Sequence, residues 1–265
     1  MTTARRNVRD RLGWVVDGIL PIAILVAAWQ LFASIGAINE AMLPSPYGIG
    51  LALFDLATGP EIRENLLVTL YRAFGGAALG CACGVAVGIA MARSEAFDAV
   101  VSPLVSATYS LPKTAIVPLL ILWVGIGHTM AVLAVFLTCL LPTVVQTYHG
   151  VTATPNVIVW SARSLGASRR EVLWHILLPH ALPDILTGIR VALGFSFVVA
   201  ISAEMIASTA GVGRLIFMYG ENGSYAYMFA AITSVVIVAF AADRLLLLLS
   251  SRLLSWHVSQ RGGHS

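Results

Sequence analysis

The sequence predicts an all-α integral membrane protein, and two observations carry this prediction. Hydrophobic residues make up 58% of the 265 residues and charged residues only 11%, with a mean hydropathy of +0.86, whereas a soluble domain carries about 25% charged residues. The apolar residues also form continuous runs of roughly 20 residues, the length of a spanning helix, and they do not alternate as in a membrane β-barrel. The net charge of only +3 excludes a nucleic-acid-binding chain.

Six apolar segments are long enough to cross a bilayer. They cover residues 13–35, 66–92, 101–124, 130–148, 185–207 and 225–249. Four arginines precede the first segment, as in a signal peptide, but its apolar run exceeds the core of about 7–15 residues that a signal peptide has, and no small-residue cleavage site follows. We therefore expect six transmembrane helices, with the first one retained.

One face of the second segment is lined by glycine. Gly76, Gly80, Gly84 and Gly88 recur at every fourth position, which places them in one row on a helix. Such a row lets another backbone approach closely. It indicates tight packing, either within the bundle or against a partner subunit.

The third segment is predicted to be irregular. It is expected to be broken by Pro103, Pro112 and Pro118, and the last two are each expected to remove a backbone donor and distort the preceding turn. Lys113 lies beside this break. An ionisable residue at membrane depth is a candidate functional group. In the alternative interpretation, residues 102–113 lie at the cytoplasmic interface and Lys113 reaches lipid phosphates; the sequence leaves both open.

Loop charge predicts the orientation, because the cytoplasmic loops of membrane proteins are enriched in Lys and Arg. Ten positive residues lie in the two terminal tails, the short loop after the second segment and the 149–184 loop. The three loops on the other side hold only Arg63 and Arg214. Both termini and the 149–184 loop are therefore expected to be cytoplasmic.

The 149–184 loop is too long for a simple connector and is predicted to contain two short helices. Thr154 is expected to cap the first helix, with Pro155 at its first position. This helix is expected to run over residues 156–165, with Gly166 as its stop.

Ser168 and Glu171 indicate a capping box at the start of the second loop helix. This helix is expected to reach Leu178 and to end at Pro179. The hairpin cannot bury all the apolar side chains of its two helices by itself. The remaining ones favour binding in a groove of a soluble partner.

Several motifs resemble those of one transporter family. Residues 162–168 followed by Ile176-Leu-Leu-Pro179 resemble the cytoplasmic signature of ABC importer permeases, which reads E-A-A, three residues, Gly, nine residues, then I-x-L-P. Other motifs resemble the branch that imports nitrate, sulfonates and taurine: Leu43-Pro44-Ser45-Pro46, Leu111-Pro112-Lys113, Trp123-Val-Gly-Ile-Gly127, Gly188-Ile-Arg190, Ala203-Glu204 and Gly211-Val-Gly213. The resemblance covers residues 43–250.

The resemblance implies a type I ABC importer fold with a cytoplasmic coupling-helix hairpin, in a bacterial inner membrane. Two copies of the permease, expected to be a homodimer, would form the path for a small anionic or polar solute that a solute-binding protein delivers. Each copy would dock on one of two ATP-binding subunits through Trp160, Ser161, Ala162, Arg163, Ser164, Leu165 and Gly166. Ile176, Leu178 and Pro179 would complete the coupling-loop motif.

The chain departs from the family signature at one point. Trp160 stands where the family has its acidic residue, and Ser161 stands where it has the first alanine. Docking is therefore expected to depend on apolar and arginine groups, with Arg163 as the replacement contact.

Nucleotide chemistry is expected in the partner. The chain has no G-x-x-x-x-G-K-[ST] sequence, so ATP with Mg²⁺ would bind the ATP-binding subunit. No catalytic, cofactor or metal site is predicted in this chain. The expected organisation is a tail, first helix and external loop in residues 1–60, a transmembrane type-1 core in 61–250 and a cytoplasmic tail in 251–265.

Four residues are candidates for the solute pathway: Arg72, Tyr109, Lys113 and Glu204. Arg72 and Glu204 both lie toward the outer face, so they are expected either to pair with each other or to line the path. Arg190 and Asp243 are expected to be structural or interfacial. The alternative function is a secondary transporter or channel without an ATPase, which would be expected to show inverted repeats or acidic residues placed for ion coupling.

Overall fold

The computed structural model describes residues 20–109 and 111–254, which are helical apart from the connecting turns. The helices are α1 (Leu20–Ser34), α2 (Pro46–Thr58), α3 (Pro60–Arg93), α4 (Glu95–Tyr109), α5 (Ile116–Val124), α6 (His128–Thr152), α7 (Asn156–Ser164), α8 (Arg169–Val172), α9 (Leu178–Ile206), α10 (Val212–Glu221) and α11 (Tyr225–Leu253). The predicted start of the first span at Gly13, the N-terminal arginines and most of the 251–265 tail lie outside the described residues. The all-α prediction is confirmed for the described part.

The chain divides into two compact units. One comprises Met1–Ile62 with Ile216–Ser234, and it contains α1 and α2. The other comprises Arg63–Leu215 with Val235–Ser265. This second unit holds the crossing of α3, α6 and α9. It also contains Arg72, Lys113, Arg190, Glu204 and Asp243.

Four helices in the described residues are long and apolar enough to cross a membrane: α3, α6, α11 and a 38-residue helix, Arg169–Ile206, that includes α9. A fifth span exists if α4 and Lys113–Val124, which meet at 93°, count as one broken helix. The described part of α1 is apolar but shorter than a span. The sixth span therefore stays a prediction.

The second loop helix does not end at Pro179, so that prediction is wrong. The helix continues from α8 into α9 through a π turn, Leu173–Leu177. The Leu178 N–H bonds to the Leu173 carbonyl five residues back, which widens the helix just before the proline. Pro179 has no N–H and would clash with the preceding turn of a regular α-helix, so the wide turn lets the chain stay helical.

The predicted break in the third segment is confirmed at Pro112 only. α4 ends at Tyr109, and a 3₁₀ turn over Lys113–Ala115 leads into α5. Pro103 lies inside α4 without ending it. Pro118 lies in the first turn of α5, where a missing N–H costs no intrahelical hydrogen bond.

The glycine row of α3 packs against α6 of the same chain, which decides between the two packing alternatives. A Cβ added at Gly80 would lie 2.7 Å from the Phe136 carbonyl oxygen, and one at Gly84 would lie 2.7 Å from the Thr143 Cβ. The other two glycines of the row meet α6 in the same way. The two backbones touch because no side chain separates them.

Gly84→Ala is expected to destabilise the protein by about 1–3 kcal/mol, the usual effect of overpacking a tight contact. Gly75→Ala is the matched control, because Gly75 lies on the same helix and a Cβ there would meet nothing within 4 Å. Thermal unfolding of the purified protein in detergent measures both effects. Similar melting temperatures for the two variants would contradict the α3–α6 contact.

Candidate docking loop and membrane-embedded charges

The first loop helix lies where the sequence predicts it, with a different cap. α7 begins at Asn156, and Pro155 occupies the cap position with extended backbone and no side-chain cap. Thr154 Oγ1 is buried and has no hydrogen-bond partner in the described part of the chain. Thr154 is therefore not the cap. Pro155 has an extended backbone and occupies the cap position, so the helix begins at Asn156 and not at Pro155.

Gly166 ends α7 in a Schellman motif. Its φ is +92°, in the left-handed region that favours glycine. The Gly166 N–H donates to the Arg163 carbonyl and the Ala167 N–H donates to the Ala162 carbonyl, each at a distance of 3.0 Å. The predicted stop is confirmed, with α7 ending at Ser164 and Leu165 as its last capping residue.

The predicted capping box is present at the start of α8. The Glu171 N–H donates to Ser168 Oγ over 3.2 Å, and the Ser168 N–H donates to Glu171 Oε2 over 2.7 Å. The loop between α7 and α8 is thus held by hydrogen bonds on both sides of Gly166. It is a defined turn that presents α7 at a set angle.

The two halves of the family signature differ in exposure. No residue of α7 is buried, and Trp160 is 63% and Leu165 is 90% exposed. Of the other predicted docking residues, Ala162 is partly buried and the rest are exposed: Ser161, Arg163, Ser164 and Gly166.

The second half of the signature anchors the loop to the bundle. Ile176, Leu178 and Pro179 are partly buried, and Leu178 packs against a core cluster that includes Val151. The first half is therefore available to a partner, while the second half joins the hairpin to α6 and α9.

Arg72 and Glu204 form a buried ion pair, which is one of the two expected alternatives. Arg72 Nη1 donates to Glu204 Oε1 over 2.9 Å, and each residue is only 1% exposed. Thr69 Oγ1 donates to Glu204 Oε2 over 2.8 Å. Arg72 also donates to the Ser208 hydroxyl (3.0 Å) and the Ala210 carbonyl (2.7 Å). These contacts tie α3 to the end of α9 and to the turn that follows.

The turn between α9 and α10 closes over Glu204. The Gly213 N–H donates to Glu204 Oε2 over 3.0 Å, and the Val212 N–H donates to Thr69 Oγ1 over 2.9 Å. A Cβ at Gly211 would collide with the Glu204 carboxylate. The sequence offered the Gly-Val-Gly motif as a signal, but Thr69 carried none, because a threonine in an apolar helix is unremarkable.

Arg190 and Asp243 also pair, in line with their expected structural role. Arg190 Nε and Nη2 donate to the two oxygens of Asp243 over 2.7 and 3.1 Å. Their side chains are 49% and 32% exposed, so water or another molecule reaches this pair. It joins α9 to α11.

Lys113 and Tyr109 lie together at the broken span. Lys113 Nζ donates to the Tyr109 carbonyl over 2.6 Å and lies 4.8 Å from the centroid of the Tyr109 ring. Tyr109 is 50% exposed, and Lys113 is partly buried. Neither residue belongs to the Arg72–Glu204 network, so the four pathway candidates separate into two places.

A polar cluster in the first unit was missed from the sequence. Tyr219 donates to Glu61 over 3.1 Å, and Tyr227 donates to Asp55 over 2.8 Å. The two rings lie 5.5 Å apart. Burial, together with the nearby Glu61 carboxylate, raises the pKa of Tyr219 to about 12, so its hydroxyl remains a donor at neutral pH. No sequence spacing links residues so far apart in the chain.

These features define a class of protein: a helical membrane protein with an exposed loop helix and with buried charges in its apolar helices. Residues 84–255 match the family described as binding-protein-dependent transport system inner membrane component. The chain belongs to this family, and it is the permease subunit of an ATP-driven importer.

Curated relatives match most of the chain. It is 33% identical over 242 residues to the taurine transport system permease protein TauC of Escherichia coli (strain K12), covering 89% of this chain and 88% of that protein. It is 30% identical over 254 residues to the putative aliphatic sulfonates transport permease protein SsuC of Bacillus subtilis (strain 168), covering 96% and 92%. Among solved structures, the inward-facing MetNI methionine ABC transporter has a TM-score of 0.61 and 18% identity, covering 72% of this chain and 93% of that chain. That structure supports the fold alone.

Proposed function

We propose that this permease works as a homodimer in which each copy docks through residues 156–166 on one of two ATP-binding subunits. The exposed apolar side chains of α7 and its C-cap, above all Trp160 and Leu165, carry the proposal. Tryptophan is a frequent anchor of protein interfaces, and an exposed apolar patch marks an interaction site. ATP and Mg²⁺ bind the partner subunit, and this chain carries neither a cofactor nor the ATPase activity.

Docking in this chain relies on apolar contact more than on an ion pair. Trp160 replaces the acidic residue of the family signature and is well exposed. Arg163 is exposed on the same helix and supplies the polar contact at the rim, where a charge contributes little to stability. The partner surface is accordingly an apolar groove that accepts an indole.

The long helix Arg169–Ile206 offers a mechanical link for transport. It begins at the capping box beside the docking loop and reaches Glu204 near its other end. At a rise of about 1.5 Å per residue, it extends for roughly 55 Å. When the ATP-binding subunits close, a displacement of α7 is transmitted along this helix to the turn that closes over Glu204.

The membrane arrangement completes the proposal. The chain crosses a bacterial inner membrane six times, with α1 as the first span and both termini in the cytoplasm, as the ten-to-two distribution of loop cations favours. The transmembrane core covers residues 61–250. A solute-binding protein delivers the solute from the outer side.

The solute is a small organosulfonate. The support is the names of the relatives, since permeases for taurine and aliphatic sulfonates are 30–36% identical to this chain. Transport without an ATPase is disfavoured by membership of the binding-protein-dependent family.

The permease, its ATP-binding subunit and its binding protein, reconstituted in proteoliposomes, test this function. Ethanesulfonate or taurine is expected to raise ATP hydrolysis severalfold above the rate with the unloaded binding protein, because loaded binding protein drives the permease through its cycle. Methionine at the same concentration is the control and is expected to leave the rate unchanged. Stimulation by methionine but not by either sulfonate would contradict the proposed solute, and hydrolysis that does not depend on this chain would contradict the docking.

A further inference from the structure

A mostly aliphatic cavity of about 230 Å³ lies beside the broken span. Val87 of α3, Val105 of α4 and Leu137 of α6 contribute to its walls. All lining side chains except Thr108 and Lys113 are aliphatic. The cavity therefore suits a hydrocarbon body, and Lys113 is the one charged residue on its wall.

Lys113 differs from the cations that the structure pairs within the spans. Arg72 and Arg190 each bond a carboxylate, whereas no carboxylate lies within salt-bridge distance of Lys113 in residues 20–109 and 111–254. Its Nζ donates to the Tyr109 carbonyl, and an ammonium group has three donors. The described residues supply Nζ with one acceptor, the Tyr109 carbonyl, so two of its donors are free for an anionic ligand.

We propose that this cavity binds an alkyl-chain monoanion, with its anionic head on Lys113 and its chain among the aliphatic side chains. A zwitterion such as taurine is excluded from it, because the second charge would be buried without a partner. Two sources carry the required chemistry: a transported alkanesulfonate, which rests on the proposed function, and an anionic phospholipid, which does not.

Lys113 is the only lysine in the sequence, so an amine-reactive reagent reports on this site directly. The permease is labelled in complex with its ATP-binding subunit, in phosphatidylcholine nanodiscs, and peptide mass spectrometry measures modification of Lys113. 1-Octanesulfonate below its micellar concentration is expected to slow this modification at least fivefold. Taurine and neutral 1-octanol are expected to have no effect, and lysines of the ATP-binding subunit serve as the internal control.

Two variants test the cavity itself. Val105→Trp fills it and is expected to abolish protection of Lys113, whereas Val236→Trp, on an exposed face of α11, is expected to retain protection. Binding of radiolabelled 1-octanesulfonate is expected to weaken at least tenfold in Lys113→Gln and less than threefold in Lys113→Arg. If a variant fails to assemble, the labelling of the unmodified protein still decides.

Changing the lipid of the nanodisc distinguishes the two possible sources of the anion. Protection of Lys113 by phosphatidylglycerol nanodiscs without any sulfonate identifies a phospholipid, and protection by the sulfonate alone identifies a solute. If no sulfonate stimulates ATP hydrolysis although 1-octanesulfonate still protects Lys113, the anion is not a transported solute. The proposed binding site itself then still stands. Equal labelling of Lys113 under all these conditions would overturn the site itself.

Discussion

Glu204→Ala is expected to lower the free energy of unfolding by about 3–5 kcal/mol, the usual cost of removing one partner of a buried ion pair. The substitution leaves Arg72 buried without a carboxylate. It also removes one acceptor of the Thr69 hydroxyl and the acceptor of the Gly213 N–H. Denaturant titration or thermal unfolding of the purified protein measures the change, and the α9–α10 turn is expected to become accessible to protease at the same time.

The matched control is Asp243→Ala, because Asp243 also pairs with an arginine but is partly exposed. That loss is expected to stay below about 1 kcal/mol. In the double variant Arg72→Met, Glu204→Met, much of the stability is expected to return, because no unpaired charge remains buried. If Glu204→Ala and Asp243→Ala proved equally mild, the buried network would not be the anchor of the turn.

Gly166→Val is expected to leave the spans inserted and to abolish the stimulation of ATP hydrolysis by loaded binding protein. A Cβ at Gly166 would meet nothing within 4 Å, so the substitution causes no collision. Its cost comes from the φ of +92°, which a β-branched residue holds only at about 1–3 kcal/mol. The strain is relieved by reorienting the turn, and α7 then no longer meets the ATP-binding subunit. Co-purification and ATPase assays on the folded fraction measure both losses.

Gly36→Val is the matched control for this prediction. Gly36 has a φ of +73° with open space around it, and it ends α1 in the same hydrogen-bonded motif, with the Ala37 N–H bonded to the Phe32 carbonyl. It carries the same backbone cost without touching the docking loop. It is therefore expected to lower the melting temperature similarly and to keep full coupling. Normal coupling in folded Gly166→Val would reject the docking assignment.

Local chemistry made part of the fold predictable. The Ser168–Glu171 capping box and the Gly166 stop depend on residues within a few positions of each other, so their spacing alone indicates them. The prediction from apolar run length lacks α2, although Ser45 and Pro46 are a standard start signal, because its 13 residues are shorter than a span. The prediction that the second loop helix ends at Pro179 is wrong because the effect of a proline depends on the turn before it. A π turn has no reliable sequence signature.

The sequence by itself determined the all-α membrane class, the glycine row and the presented loop, because apolar run length, residue spacing and cap residues act over one helix. Only the tertiary structure decided what each long-range group contacts. It showed that the glycine row packs against α6 and that Glu204 accepts hydrogen bonds from Thr69 and Gly213. It also showed that Lys113 forms no ion pair with a carboxylate in the described residues. The physical reason is that burial and ion pairing depend on residues that are far apart in the chain, 132 positions for Arg72 and Glu204 and 135 for Thr69 and Glu204. A single sequence does not specify which of them meet.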